Sequence, residues 1–463
     1  MRRQLGRFGV LALALGSVAA QGHGAFSVAS AVDAAERLGA RTGVVVRDVR
    51  GRELYAHRAD EAFAPASNQK LLTALALLDS LGAEFRFETR FALRDGAFVV
   101  TSGGDPNLRS GTPFAGAAAF DAVTAQLRAR GILAVREIVL DAGTFAGPDR
   151  PEEWPKDQFH LDYCAPSSPW LLDGGIYRVR VEARIDGEAP RVGVIAPWDG
   201  ARIKNELRPA SAKARAVYGA MNLNDLVTVH GRYGKLEEPY EFTAVMHEPR
   251  VWFESLLRWR LQAGGIAVTP TAEPAADQEL AVWTSPLLPA LVRVLEDSSN
   301  VDAEQCLRVL GAHDRGDGSL AGGVAAVRAI IERRIGGWPR GAELRDGSGL
   351  SAGNRVTPRM LAALLAEHGV AATDHPFREC LPIGGQTGTL ADRFVNSPVA
   401  GRVRAKTGWI RGASSLSGFV EGEDGRVRYF SILMNYDPSR GGLNKDLKAL
   451  QERIVEAIAQ SGS

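Results

Sequence analysis

Cysteine is scarce in this chain. Among 463 residues only Cys164, Cys306 and Cys380 occur, widely separated. That is too few and too scattered for a disulfide framework or a zinc cluster, and an odd count permits at most one bridge. Cys306 falls in the helical pattern VDAEQCLRVLG, where a buried structural thiol is the plainest reading. An excess of one charge is also missing: 55 Lys and Arg against 54 Asp and Glu leave +1 at neutral pH. No basic field therefore argues for nucleic acid, and no charge block argues for an anionic membrane surface. The eight histidines include no H-x-x-x-H pair, so metal catalysis has little support and no cofactor is expected. Beyond the N-terminus no apolar run is long enough to span a bilayer, and there is no internal repeat or low-complexity linker.

What is present is ordinary globular composition, 45% hydrophobic and 24% charged, ample for a large core and more than one domain. The start, MRRQLGRFGVLALALGSVAAQGHG, has a basic region, about a dozen apolar residues, and Val18 and Ala20 placed for cleavage before Gln21. It reads as a secretory signal over residues 1–20. No cysteine follows it, which argues against a lipoprotein and leaves a soluble protein exported to the periplasm or cell envelope.

The rest divides by texture. RTGVVVRDVRGRELYAHR predicts two strands about an Arg-Gly turn, and PASNQKLLTALALLDSLG predicts a helix ending at Gly82. From about Phe87 the pattern becomes hairpins, with turns at Asp95-Gly96 and Asp186-Gly187. Helical periodicity returns near Pro289, breaks at the polar residues 297–300, and resumes. The end brings three strands, with a turn at Asp424-Gly425, and an amphipathic helix. These elements predict one α/β domain over 28–85 and 281–463, closed across a strand-rich insertion over 86–280 of one or two subdomains.

Three short motifs could carry chemistry. Ser67 and Lys70 are three residues apart, hence on one helix face, where an amine of lowered pKa could take the serine proton. Ser67 at a helix N-terminus would also have backbone N–H groups nearby for developing negative charge. Serine is equally a good helix cap, and with eight lysines in the chain one such spacing has roughly even odds of chance. The second motif is Ser298-Ser299-Asn300 in the polar break, by itself best read as a cap. The third is Lys406-Thr407-Gly408 at the end of a strand, by itself an edge-strand lysine before a turn. A competing motif, GLSAG over 349–353, fits a nucleophile elbow but lacks a preceding strand, and the next helix is expected at Thr357-Pro358.

In order, S-x-x-K, S-x-N and K-T-G resemble the active-site set of penicillin-binding proteins and serine β-lactamases. With the long gap between the first two motifs, and with GGDPNL, DGSGLS and LPIGGQTGTLADRF, the chain resembles the class C low-molecular-mass penicillin-binding proteins, the D-alanyl-D-alanine carboxypeptidase/endopeptidases. The resemblance implies the DD-peptidase fold, an antiparallel five-stranded sheet flanked by helices. It implies a Ser67 nucleophile with Lys70 as base, Ser298, Asn300 and Lys406 in catalysis, and Thr407, Gly408 and Trp409 binding substrate. The partners it implies are peptidoglycan stem peptides and, as inhibitors, β-lactams. It places Asp346 and Ser348 in a loop near the cleft. Trp409 stands where relatives often carry a small hydroxyl residue, which leaves open the balance between terminal D-Ala cleavage and cross-link cleavage. A β-lactamase and a non-catalytic wall-binding protein remain as alternatives. The first would need an added base for deacylation, and none is identifiable; the second would be expected to lose Ser67 or Lys70.

Overall fold

The computed structural model describes residues 27–109, 116–184, 188–195, 201–211, 215–234 and 237–460. The signal over 1–20 and the turn at Asp186-Gly187 lie outside the described residues.

The architecture rests on a five-stranded antiparallel sheet in the spatial order Val403–Ile410, Ala413–Glu421, Val427–Tyr436, Ala40–Asp48, Glu53–His57. The two ends of the chain meet inside it, with Ala40 opposite Tyr436 and Asp48 opposite Arg428. Strands 413–421 and 427–436 are buried along nearly their whole length, the pattern of strands covered on both faces. One face packs on helices Gln69–Leu81, Leu288–Leu295, Asn300–Arg315, Leu320–Ile335 and Pro358–Glu367. The other packs on helices Val28–Arg37 and Leu443–Gln460. The five-stranded sheet that the family resemblance implies is present.

Local signals fixed many boundaries. The final helix spans LNKDLKALQERIVEAIAQ, as its periodicity predicts. Thr357 caps the helix that opens on Pro358. Asp95 and Gly96, with φ of +47° and +74°, make the tight turn between Arg86–Arg94 and Ala97–Thr101. Helix Val28–Arg37, with a Ser27–Ser30 capping box, precedes the first strand and goes beyond the strand-strand-helix reading.

Among the described residues, 86–286 hold a four-stranded sheet, two three-stranded sheets and a two-stranded pairing, a strand-rich stretch. The region also contains helices Gly116–Ala129 and Pro249–Ala263, which the hairpin reading passed over. The second was legible: Pro249 opens it, and Trp252, Phe253, Leu256, Leu257 and Leu261 share its buried side. An apolar core drawn only from residues 91–280 fills this region, distinct from the core that includes Phe87 and Leu287. All three cysteines are unpaired and buried, and burial pushes the Cys306 thiol far up, as befits a structural residue.

Candidate active site

Ser67 sits in a 3-10 turn, Ala66–Asn68, that runs into helix Gln69–Leu81. Its side chain caps nothing; its hydroxyl lies 3.0 Å from Lys70 Nζ, one turn on. The helix is rich in Leu and Ala, strong helix formers, and residues 69–77 are all buried. A lysine near its start is therefore forced into the interior. Ala66 has a left-handed backbone, φ +48°, just before Ser67, a strain of ~1–3 kcal/mol that the surroundings must hold. Gly349 helps hold it: a Cβ there would stand 1.9 Å from the Ala66 carbonyl oxygen.

Lys70 Nζ has two further partners, Asn300 Oδ1 at 2.6 Å and the Ser348 carbonyl at 2.8 Å. A neutral amine has two N–H groups and one lone pair. Two carbonyl oxygens occupy the N–H groups, so the lone pair is left for the Ser67 hydroxyl. Burial lowers the Lys70 pKa to about 7, against the opposing fields of Asp346 and Glu304. Lys406, also fully buried, is held well below the ordinary lysine range by burial and by Lys70.

The break between helices Leu288–Leu295 and Asn300–Arg315 divides its labour. Ser299 is the cap, accepting from Asp302 N, which leaves Ser298 to line the cleft and Asn300 to reach Lys70. Ser298 is itself left-handed, φ +63°. The loop is anchored by fully buried Asp302, which accepts from Arg109 Nη2 at 2.8 and 2.9 Å and from Arg293 Nη2 at 3.2 Å. Burial would raise this carboxyl, but Arg109, Arg293 and the Ser299 hydroxyl hold it below the usual carboxylate range. The GGDPNL segment reaches the same anchor: Asn107 Oδ1 accepts from Arg293 at 2.8 Å, and Gly104 O accepts from Gln305 at 3.0 Å.

Lys406 lies within strand Val403–Ile410, not at its end: the strand continues through Thr407, Gly408 and Trp409. It is on the edge strand, yet its side chain turns inward, Nζ donating to Ser298 Oγ at 2.9 Å and to Thr407 O at 2.9 Å. The strand docks on the turn that carries Ser67. Asn68 Nδ2 donates to Lys406 O at 2.8 Å, and Ser415 Oγ donates to Pro65 O at 2.6 Å. Gly408 permits the approach, because a Cβ there would meet Ser415 Oγ at 2.2 Å, Pro65 O at 2.9 Å and Ser67 N at 3.0 Å. Gly408→Ala is expected to push the strand off the turn and, with Ser67 expected as the nucleophile, to slow its acylation by ~10–100-fold, since displacements near 1 Å carry such costs. The rate of adduct formation with a chromogenic β-lactam checks this.

Ser67, Ser298, Thr407, Gly408 and Trp409 line one cleft of about 340 Å³. Two hydrogen-bonded groups meet there, Ser67–Lys70–Asn300 and Ser298–Lys406. Trp409 stands at the rim, 56% exposed. Among the described residues no cluster of His, Cys, Asp or Glu could hold a metal ion.

The chain matches the D-Ala-D-Ala carboxypeptidase 3 (S13) family over residues 25–459. It belongs to that family. It is accordingly a hydrolase, a serine-type D-Ala-D-Ala carboxypeptidase. It is 30% identical over 455 residues to a D-alanyl-D-alanine carboxypeptidase of an Actinomadura species, covering 91% of this chain and 82% of that one. A D-alanyl-D-alanine carboxypeptidase of Haemophilus influenzae is 24% identical over 437 residues, with 89% and 88% covered. The crystal structure of penicillin binding protein 4 from Haemophilus influenzae superposes with a TM-score of 0.77 at 22% identity, covering 94% of this chain and 99% of that one. That likeness establishes the shared fold.

Several residues of the peptidase's site carry no motif of their own. Thr389 Oγ1 accepts from Thr407 Oγ1 at 2.9 Å; the family-like segment LPIGGQTGTLADRF pointed to its neighbourhood without singling it out. Tyr163, from the inserted region, accepts from Asn300 Nδ2 through its carbonyl at 2.9 Å. Trp154 from the same region donates to Asp346 Oδ2 at 3.0 Å. The insertion therefore braces the cleft. The DGSGLS loop lies against it, as expected, and Ser348 enters through its main chain. GLSAG is no elbow: Ser351 gives its hydroxyl to Glu153, and the next helix starts only at Pro358.

Proposed function

We propose that Ser67 forms an acyl-enzyme with peptidoglycan stem peptides and that β-lactams acylate the same serine. The observation that carries this reading is the Lys70 amine, 3.0 Å from Ser67 Oγ with both other partners carbonyl oxygens. Lys70 as free amine takes the Ser67 proton, and Ser67 attacks the carbonyl of the penultimate D-alanine. The backbone N–H groups of Ser67 and Trp409 stabilise the oxyanion; the close approach of Gly408 to Ser67 N supports this pairing. Ser298 relays a proton to the leaving amine. Asn300 orients Lys70 and the substrate amide, and Lys406 with Thr407 receives the terminal carboxylate. Gly408 admits the substrate backbone, and water then releases the acyl group. Burial, rather than the field of Lys406, keeps Lys70 deprotonated, against the fields of Asp346 and Glu304. Relatives include a penicillin binding protein 4 crystallised with a β-lactam.

The same reading includes export under the signal over 1–20 to the periplasm or envelope. No helix among the described residues is long and apolar enough to cross a membrane. It also includes a peptidase domain of 28–85 plus 281–463 and an insertion of 86–280, supported by the two separate apolar cores. The test is incubation with a fluorescent penicillin, expected to leave one covalent label per chain. Mass spectrometry of cross-linked and uncross-linked muropeptides after digestion then separates carboxypeptidase from endopeptidase action. A folded protein that takes no label sinks the reading.

A further inference from the structure

The geometry points to Glu304 as a positioning residue that aims the Lys70 lone pair at Ser67 through the Ser348 carbonyl. The inference rests on the reading of Ser67 as nucleophile and Lys70 as its base. Glu304 lies one turn after Asn300 on helix Asn300–Arg315 and is fully buried. Its carboxylate accepts from Gly347 N at 3.0 and 3.1 Å and from Ser348 N at 2.8 Å. On the other side, Thr73 Oγ1 donates to Gly347 O at 2.8 Å, from the helix that carries Lys70. The Gly347-Ser348 main chain is thus held between two helices, and the Ser348 carbonyl emerges 2.8 Å from Lys70 Nζ. Asn300 and Glu304, at i and i+4 on one face, therefore govern both acceptors of the Lys70 N–H groups. Asn300 does so by contact; Glu304 acts through Ser348.

Such an arrangement matters because a lysine side chain has four rotatable bonds and its amine spins freely. With one acceptor missing, the amine can turn its lone pair away from the serine. A proton-transfer partner must be both placed and pointed.

The charges around the pair are few. Lys70 faces Asp346, Glu304 and Lys406, and Glu304 faces Asp346, Lys70 and Arg308. Arg308 gives its hydrogen bonds to Ser167 and to the carbonyls of Ala146, Pro148 and Gly318. The Asp346 oxygens are occupied by Trp154, Gly349, Ser351 and Asn354. Burial, then the Asp346 charge, pushes the Glu304 carboxyl up, while the three backbone N–H contacts it accepts pull the other way; burial lowers Lys70. The anionic form of Glu304 favours the Lys70 ammonium; the protonated form favours the free amine.

Glu304→Gln tests this. The amide has one oxygen to accept with, and its NH2 opposes the second backbone donor, so the Ser348 carbonyl loses its setting. The acylation rate constant with a penicillin is expected to fall by about tenfold or more. With no anion left to stabilise the ammonium, the acid limb of the pH–rate profile should move to lower pH by about one unit. Glu304→Asp keeps the charge and should return the limb to its wild-type position with a partly recovered rate. An unchanged rate, or a lower rate with the limb unmoved, overturns the proposal, since packing alone would produce the latter. If Glu304→Gln fails to fold, Glu304→Asp decides: a slowed rate at an unchanged unfolding midpoint supports the proposal, and a wild-type rate, or a slowed rate with a lowered midpoint, refutes it. Wild-type protein that takes no penicillin label would instead refute the Ser67 reading.

Discussion

Ser67→Ala is expected to abolish the covalent penicillin adduct altogether, and Lys70→Met to slow its formation by ~10²–10⁴-fold. The Ser67 hydroxyl has Lys70 as its side-chain partner and caps no helix, so its loss should leave thermal unfolding nearly unchanged. Lys70→Met fills the same buried space with an unbranched apolar chain but supplies no lone pair. The pH profile of the wild type carries the same argument. Lys70 has a pKa lowered to about 7 by burial, so the free amine dominates above that pH and the ammonium below it. Below about pH 7 the acylation rate should fall by about tenfold per unit. Mass spectrometry of the intact adduct and the initial rate of labelling from pH 5 to 9 check both statements. A labelled Ser67→Ala protein would refute the assignment outright.

Asp302→Ala is expected to destabilise the protein by about 3–5 kcal/mol, the cost of removing one partner from a buried charged network. The carboxylate is fully buried, while the Arg109 and Arg293 side chains are only 19% and 18% exposed. Two guanidiniums would then share the site without their anion. The damage should reach catalysis too, because Asp302 also holds the Ser299 hydroxyl, and through it the loop that presents Ser298 and Asn300. The expected results are a lower unfolding midpoint in denaturant and slower penicillin labelling in the fraction that remains folded. Asp302→Asn, which keeps the shape and some acceptor capacity, should lose less. Equal stability of Asp302→Ala and wild type would show that the network carries no net energy.

The Ser67–Lys70 pair was legible because its contact is local. Ser67 and Lys70 meet across one helical turn, and spacing alone brings i and i+3 together. Helix ends at Gly82 and Pro358 and the turn at Asp95-Gly96 were equally local, being set by backbone preferences of the residues themselves. The second and third motifs were found by their order in the chain, not by any local physics. On local grounds Ser298-Ser299-Asn300 was a cap, and Ser299 does serve as one. The helix Pro249–Ala263 shows the opposite failure: its signal was present, but a region read as hairpins obscured it.

By itself, then, the sequence determined which short segments are helix, turn and strand, and the order in which the chemical groups arrive. Only the tertiary structure decided which groups touch and what state they hold. Lys406 finds Ser298 from 108 residues away, and Lys70 finds the Ser348 carbonyl across 278. The second contact is to a main-chain oxygen, which every residue possesses, so no side chain announces it. Burial of Lys70 and Lys406 is likewise a property of the assembled core. Desolvation by that core, rather than any neighbour in the chain, turns an ordinary lysine into an amine free near neutral pH.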